Sequence, residues 1–152
     1  MANRFSFVTD TETMCVFDLT CLKHRLGDDA DWWSIPREEM AEVNDGNVAF
    51  LGLGEDGRYE VTVVDEPLSG DFTAVNLKCP SGRFFIGCGE EVSSDGLEPE
   101  GIRGGGFLVL PTGNYRMSAK HTREGILVHF QRLGEHGGDL RNAFHRPVRL
   151  AL

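Results

Sequence analysis

The sequence predicts a mainly β protein, an antiparallel sandwich or barrel of about ten short strands with one short helix. Short stretches of apolar and β-branched residues, bounded by Gly, Asp and Asn, recur at 5–9, 14–18, 48–53, 59–64, 73–77, 83–87, 107–110, 115–120, 125–132 and 147–152. Their spacing is too tight for parallel βαβ units, whose crossovers need about a dozen residues and are usually helical. A single stretch, 34–43, has the marks of a helix, so a Rossmann-like fold is excluded. The 152 residues, 40% hydrophobic and 26% charged, fit one β-rich domain over 1–152.

Taken in order, the second strand carries the apolar run Met14-Cys15-Val16-Phe17, where Cys15 serves as a small core hydrophobe. Next comes Gly27-Asp28-Asp29-Ala30-Asp31-Trp32-Trp33, in which three acids precede both tryptophans of the chain. The helix follows. Ser34 offers an N-cap oxygen, Pro36 suits the first turn, and Glu38 and Glu39 place negative charge at the positive end of the helix dipole. Met40 and Val43 fall on one helix face and can cover a sheet, and the helix should stop near Asn44 or Gly46. One tryptophan is expected to close the core and the other to anchor a partner, ringed by Asp28, Asp29, Asp31, Glu38 and Glu39.

The chain contains an internal similarity. Phe50-Leu51-Gly52-Leu53 leads through a turn to Gly57-Arg58-Tyr59, and Phe107-Leu108-Val109-Leu110 leads to Gly113-Asn114-Tyr115. Each copy reads as a β-hairpin whose turn glycine supplies positive φ. The second copy, Leu110-Pro111-Thr112-Gly113-Asn114-Tyr115-Arg116, resembles the start of a strand in several small, acidic, β-rich bacterial proteins of unknown function, some of them immunity-like proteins kept beside toxin genes. The resemblance spans about a dozen residues. It implies kinship of fold, favours an inhibitor or adaptor over an enzyme, and assigns no residue a role.

Charge narrows the partners. With 15 Lys+Arg against 24 Asp+Glu the formal net charge is -9, which repels nucleic acid. The charge is unevenly spread: residues 1–100 hold 21 acids and 7 bases, and 101–152 hold 3 acids and 8 bases. The two segments either form faces of opposite sign or pair with each other. No run approaches the about 18 apolar residues of a membrane span, and the start lacks a signal-peptide core, so a cytoplasmic protein is expected.

Searching for chemistry returns little. Cys15, Cys21, Cys79 and Cys88 have neither C-x-x-C nor zinc-ribbon spacing, and reduced thiols are expected. Cys88 reads as a turn residue whose neighbours Glu90 and Glu91 raise its pKa and blunt its reactivity. His121 and His129 approach each other only if they flank a hairpin turning near 123–125, and solvated strand positions suit them better than a metal. Gly101-Ile102-Arg103-Gly104-Gly105-Gly106 lacks the Lys-Ser/Thr and helix of a phosphate loop. No G-x-S-x-G nucleophile elbow is present. No catalytic residue, metal or cofactor is assigned.

The resulting expectation is a non-enzymatic binding protein of the immunity type. It would neutralise a toxin, such as a nuclease with a basic cleft, through Asp28, Asp29, Asp31, Trp32, Trp33, Glu38 and Glu39. Glu90, Glu91 and Asp95, in a long polar loop, form a second part of that surface. The alternative is a small-ligand or enzymatic site in the mouth of a barrel, using Tyr59, Tyr115, His121 and His129. A structural subunit of a larger assembly, self-associating as a homo-oligomer, is a third reading.

Overall fold

Two sheets face each other. The computed structural model describes residues 3–25, 32–93, 99, 103–135 and 140–150. Nine strands are present among them: β1 (Asn3–Thr9), β2 (Thr13–Phe17), β3 (Val48–Gly52), β4 (Gly57–Val63), β5 (Thr73–Cys79), β6 (Arg83–Cys88), β7 (Gly106–Val109), β8 (Gly113–Thr122) and β9 (Gly125–Gly134). A five-stranded sheet runs β1-β4-β9-β8-β5 and a four-stranded sheet runs β3-β2-β6-β7. The architecture is the expected β-rich sandwich with a short helix, and the sheets do not close into a barrel. Pairing is antiparallel except between β4 and β9, which run parallel. The expected tenth strand, 147–152, is reduced to one bridge, Gly52 to Arg149, with 151–152 outside the described residues. No described helix is long and apolar enough to cross a membrane.

The larger sheet alternates as a half-buried sheet must, with Val61 and Val63 of β4, Val75 and Leu77 of β5, and Met117 and Ala119 of β8 turned into the core. The smaller sheet does not alternate: every residue from Met14 to Phe17 and from Phe84 to Cys88 is buried. Register divides them by face. Phe84, Ile86, Val16 and Ala49 point toward the larger sheet, where Phe84 stacks on Phe130 and meets Tyr115 edge-on. Phe17, Phe50 and Phe85 point the other way, so a second layer must cover them.

That layer comes from the segment between β2 and β3. It contains a 3-10 helix (Leu19–Arg25), a single 3-10 turn (Trp32–Ser34) and α1 (Pro36–Asn44). Trp32 and Trp33 both pack on Phe50, and Val43 of α1 is buried. Proline sits in the first turn of α1 as expected, but the N-cap is Ile35, with no side-chain cap hydrogen bond. Ser34 closes the preceding 3-10 turn instead, which shifts the helix start by two residues from the expected 34.

The internal repeat is real but is not a pair of hairpins. β3 lies in the smaller sheet and β4 in the larger; β7 and β8 are divided the same way. Each copy is therefore an arch that carries the chain from one sheet to the other. In both, the repeated tyrosine donates its hydroxyl back to a carbonyl four residues upstream: Tyr59 to Glu55 and Tyr115 to Pro111, each at 2.6 Å. This is the tyrosine-corner device, which fixes the angle at which a chain enters the second sheet. Gly57, at φ +143°, opens the first such strand, a conformation that disfavours any residue with a Cβ.

Three of the four sheet edges are covered. Residues 103–105 pair with β1, where a side chain at Gly104 would collide with the Ser6 carbonyl. Asn142 stands in for a strand beside β5: its side chain accepts from Asn76 N–H (2.8 Å) and donates to the Asn76 (2.9 Å) and Val43 (2.7 Å) carbonyls. Beyond it, Gly52 bonds Val148 and Leu150 through the backbone, and those two side chains are buried. Residues 140–150 thus form a strap across the open side of the sandwich.

The corners make a direct prediction. Tyr115→Phe deletes one hydroxyl bond at a buried ring and should cost about 1 kcal/mol in urea unfolding while the fold survives. Tyr59→Phe, at a more exposed ring, should cost less. Equal or negligible losses would show that the arches are held without their tyrosines.

Candidate partner-binding surface

The surface is organised by what Trp32 and Trp33 do with Phe50. Trp32 is 4% exposed and meets Phe50 edge-on, with ring centroids 6.0 Å apart. Trp33 stacks on the same ring at 5.8 Å and stays partly exposed. Trp32 thus closes the core, as expected of one of the pair, and Trp33 faces a groove.

Trp32 is covered from outside by Arg25, whose guanidinium lies 4.5 Å from the ring centre. Arg25 also donates to Glu42 (2.7 Å) and to Glu38 (2.9 Å). The Glu42 carboxylate is buried and is further bonded by His24 Nε2 (2.7 Å) and by the Asn47 amide (2.8 Å). Burial alone would raise the Glu42 carboxyl, but bonds from Asn47, His24 and Arg25 outweigh it and hold the group below its ordinary value. Glu38 is therefore committed to an internal pair.

Glu39 has a different fate. It lines a groove of about 450 Å3 together with Thr11, Glu12, Thr13, Trp33, Ser34 and Phe50 and with Pro147, Val148 and Arg149 of the strap. Partial burial pushes its carboxyl up to about 7. Glu12 stands in the β1–β2 turn at φ +57°, a conformation rarely taken by a residue with a side chain. Two bonds hold it there, from its N–H to Asp56 (3.0 Å) and from Leu53 N–H to its carbonyl (2.6 Å). Neither Glu12 nor Arg149 was singled out from the sequence. A lone acid in a turn and a lone arginine 137 positions later carry no pattern until the fold sets them in one groove.

The second expected acidic patch is turned inward. Glu91 is 6% exposed. The Glu90 carboxylate accepts from Thr9 (2.8 Å) at the end of β1 and from Asp10 N–H (2.8 Å) and Thr11 (2.6 Å) in the turn that follows. Burial works against its charge, yet these donors hold its pKa below the ordinary value. Arg103 bonds Asp10 at 2.6 Å and lies 3.4 Å from Glu90, so the basic and acidic segments pair at this point. They meet again where Arg141 approaches Asp45 at 3.6 Å. Asp28, Asp29, Asp31 and Asp95 lie outside the described residues.

Other expectations resolve by geometry. Cys15 is buried in the core as expected. Cys88 is the last residue of β6 and buried rather than in a turn, and burial with Glu90 and Glu91 pushes its thiol up to about 12. β8 and β9 do form a hairpin turning at 123–124, but His121 pairs with Ile126 on the core side while His129, opposite Ser118, lies on the outer face. The two histidines cannot share a ligand. Tyr115 packs on Phe84, leaving Tyr59 and His121 together, with ring centroids 5.7 Å apart.

The fold and groove define a two-sheet β-sandwich with an acid-lined, tryptophan-based recess beside its helical cover. The chain belongs to the family of unknown function DUF6386, which it matches over residues 1–150. No curated protein matches it. A solved structure described as crocagin biosynthetic gene J is similar over 88% of this chain and 99% of its own, at 15% identity and a TM-score of 0.52. At that identity the likeness is one of fold. ComJ from Bacillus subtilis, described as an inhibitor of the DNA degrading activity of NucA, is similar over 88% of this chain and 95% of its own, at 10% identity and a TM-score of 0.49.

Glu39 yields a pH prediction. Its folded pKa, about 7, exceeds the ordinary 4.5, so the folded state is favoured below the lower value and loses that advantage as pH rises through the upper one. Glu39→Gln should therefore gain Tm over the parent progressively between these two values, then level off. A Tm difference independent of pH would contradict this environment for Glu39.

Proposed function

We propose that this protein is a non-enzymatic, cytoplasmic inhibitor that binds a basic protein through the groove at Trp33. The observation that carries this reading is the groove itself: a partly exposed tryptophan backed by Phe50, beside a half-buried glutamate, in a chain of net charge -9. Aromatic side chains in such recesses supply most of the energy that slows release, and the surrounding charge speeds encounter. Glu12, Glu55 and Asp56 are exposed and extend the acidic surface around it. Asp28, Asp29, Asp31 and Asp95 belong to the same surface in this proposal. Glu90 serves it indirectly, by holding the turn that presents Glu12. A toxin with a basic cleft, such as a nuclease, is the partner class that fits this charge.

A second recess supports the second reading, a small-ligand site. Tyr59, His121, Glu55 and Arg149 line it, and His121 Nδ1 is buried without a hydrogen-bond partner among the described residues. Saturable small-molecule binding that survives Trp33→Ala would favour this site over the groove.

The test of the main reading is capture from the native cell lysate, washed at low and then high salt, with the parent chain and Trp33→Ala side by side. We expect a stoichiometric basic protein that leaves at high salt, is absent from the Trp33→Ala capture, and loses its catalytic activity when the parent chain is added back. Capture unchanged by Trp33→Ala, or a captured protein whose activity is unaffected, would overturn the proposal.

A further inference from the structure

An arginine–tryptophan–carboxylate assembly is already built into this fold. On one flank of α1, the Arg25 guanidinium lies over Trp32 and bonds Glu38 and Glu42. Glu38 and Glu42 are four residues apart and share a helix face; Glu39, the next residue, is turned about 100° from Glu38. It lines the groove with Trp33, the tryptophan next to Trp32, and with Glu12. The two flanks thus present the same chemical set, an indole and two carboxylates. On the groove side, Glu39 has no ion pair among the described residues.

We infer that the groove is the receptor for a single arginine side chain of the partner, with its guanidinium against the Trp33 ring and paired with Glu39 and Glu12. This deepens the reading above and rests on it. Arginine fits better than lysine because a planar guanidinium stacks on an indole and offers paired donors to a carboxylate, whereas an ammonium is a compact, strongly hydrated charge. Arg149 lines the same groove beside Gly52. Its like charge disfavours a second cation, so the site takes one guanidinium rather than a basic run. The half-buried carboxyl of Glu39 gains the most from such a neighbour, since burial has removed its solvent without supplying an opposite charge.

The probe is Nα-acetyl-arginine amide, titrated into the full 15N-labelled chain and read at the two indole N–H resonances. The lysine and norleucine analogues serve as comparisons. We expect a saturable, millimolar shift of the Trp33 indole with the arginine compound, weaker by roughly threefold with lysine and absent with norleucine. The Trp32 indole should stay put. Glu39→Gln, which removes a poorly solvated charge and should fold normally, is expected to weaken the arginine response by about fivefold or more. No saturable shift, equal responses to arginine and lysine, or an unchanged response in Glu39→Gln would each overturn the inference. If the arginine probe fails while Trp33→Ala still abolishes capture, the binding surface stands and the arginine anchor falls. If capture ignores Trp33→Ala, the broader reading falls by its own test.

Discussion

The four-stranded sheet has no polar face, and much of the molecule answers to that constraint. Its inward side meets the larger sheet through Phe84, Ile86 and Val16; its outward side presents Phe17, Phe50 and Phe85, which water would leave exposed at a cost of about 1.5–3 kcal/mol per fully buried ring. The chain between β2 and β3 exists, in physical terms, to cover that side. Two adjacent tryptophans meet one phenylalanine because a 3-10 turn, at three residues per turn, can bring neighbouring side chains down on opposite flanks of a single ring. With the core closed by Trp32, Trp33 is left at the margin, where a groove begins.

The same covering layer sorts the charges of α1. Glu42 faces the buried network of Arg25, His24 and Asn47 and is fully engaged. Glu39 falls between the core and solvent. Elsewhere the basic half of the chain neutralises acids at the turns, Arg103 with Asp10 and Arg141 with Asp45, and these pairs sit away from the groove's own lining. The negative character of the groove therefore persists although the two halves of the chain do meet.

Strands were legible because Gly, Asp and Asn bracket each apolar run, and the helix because Pro36 and its following acids mark a first turn. What the sequence could not separate was a hairpin from an arch. Both need a glycine at a turn and a strand on each side, and the difference lies in whether Leu53 and Leu110 hand the chain to the same sheet or to the opposite one. The tyrosine corners carried the distinguishing signal, since Tyr59 and Tyr115 recur at one offset from their turns. That one of the two tryptophans would close the core was also readable. The inward turn of Glu90 was not, because its donors, Thr9, Asp10 and Thr11, lie some 80 positions away, and the burial of its neighbour Glu91 was hidden with it. Glu12 and Arg149 were hidden for the same reason.

The strap and the Asn142 graft leave little free backbone at the sheet edges: β1, β3 and β5 are occupied, and β7 is four residues long. A visiting chain cannot easily extend this sandwich by adding a strand, which leaves side chains such as those at the groove rim as the means of contact. Those positions, Glu12, Glu39 and Arg149 among them, are peripheral to the covered sheet and the two corners. Lineages that keep the scaffold are thus free to rewrite the rim, so the chemistry of the groove can vary by substitution at a few surface sites without risking the fold.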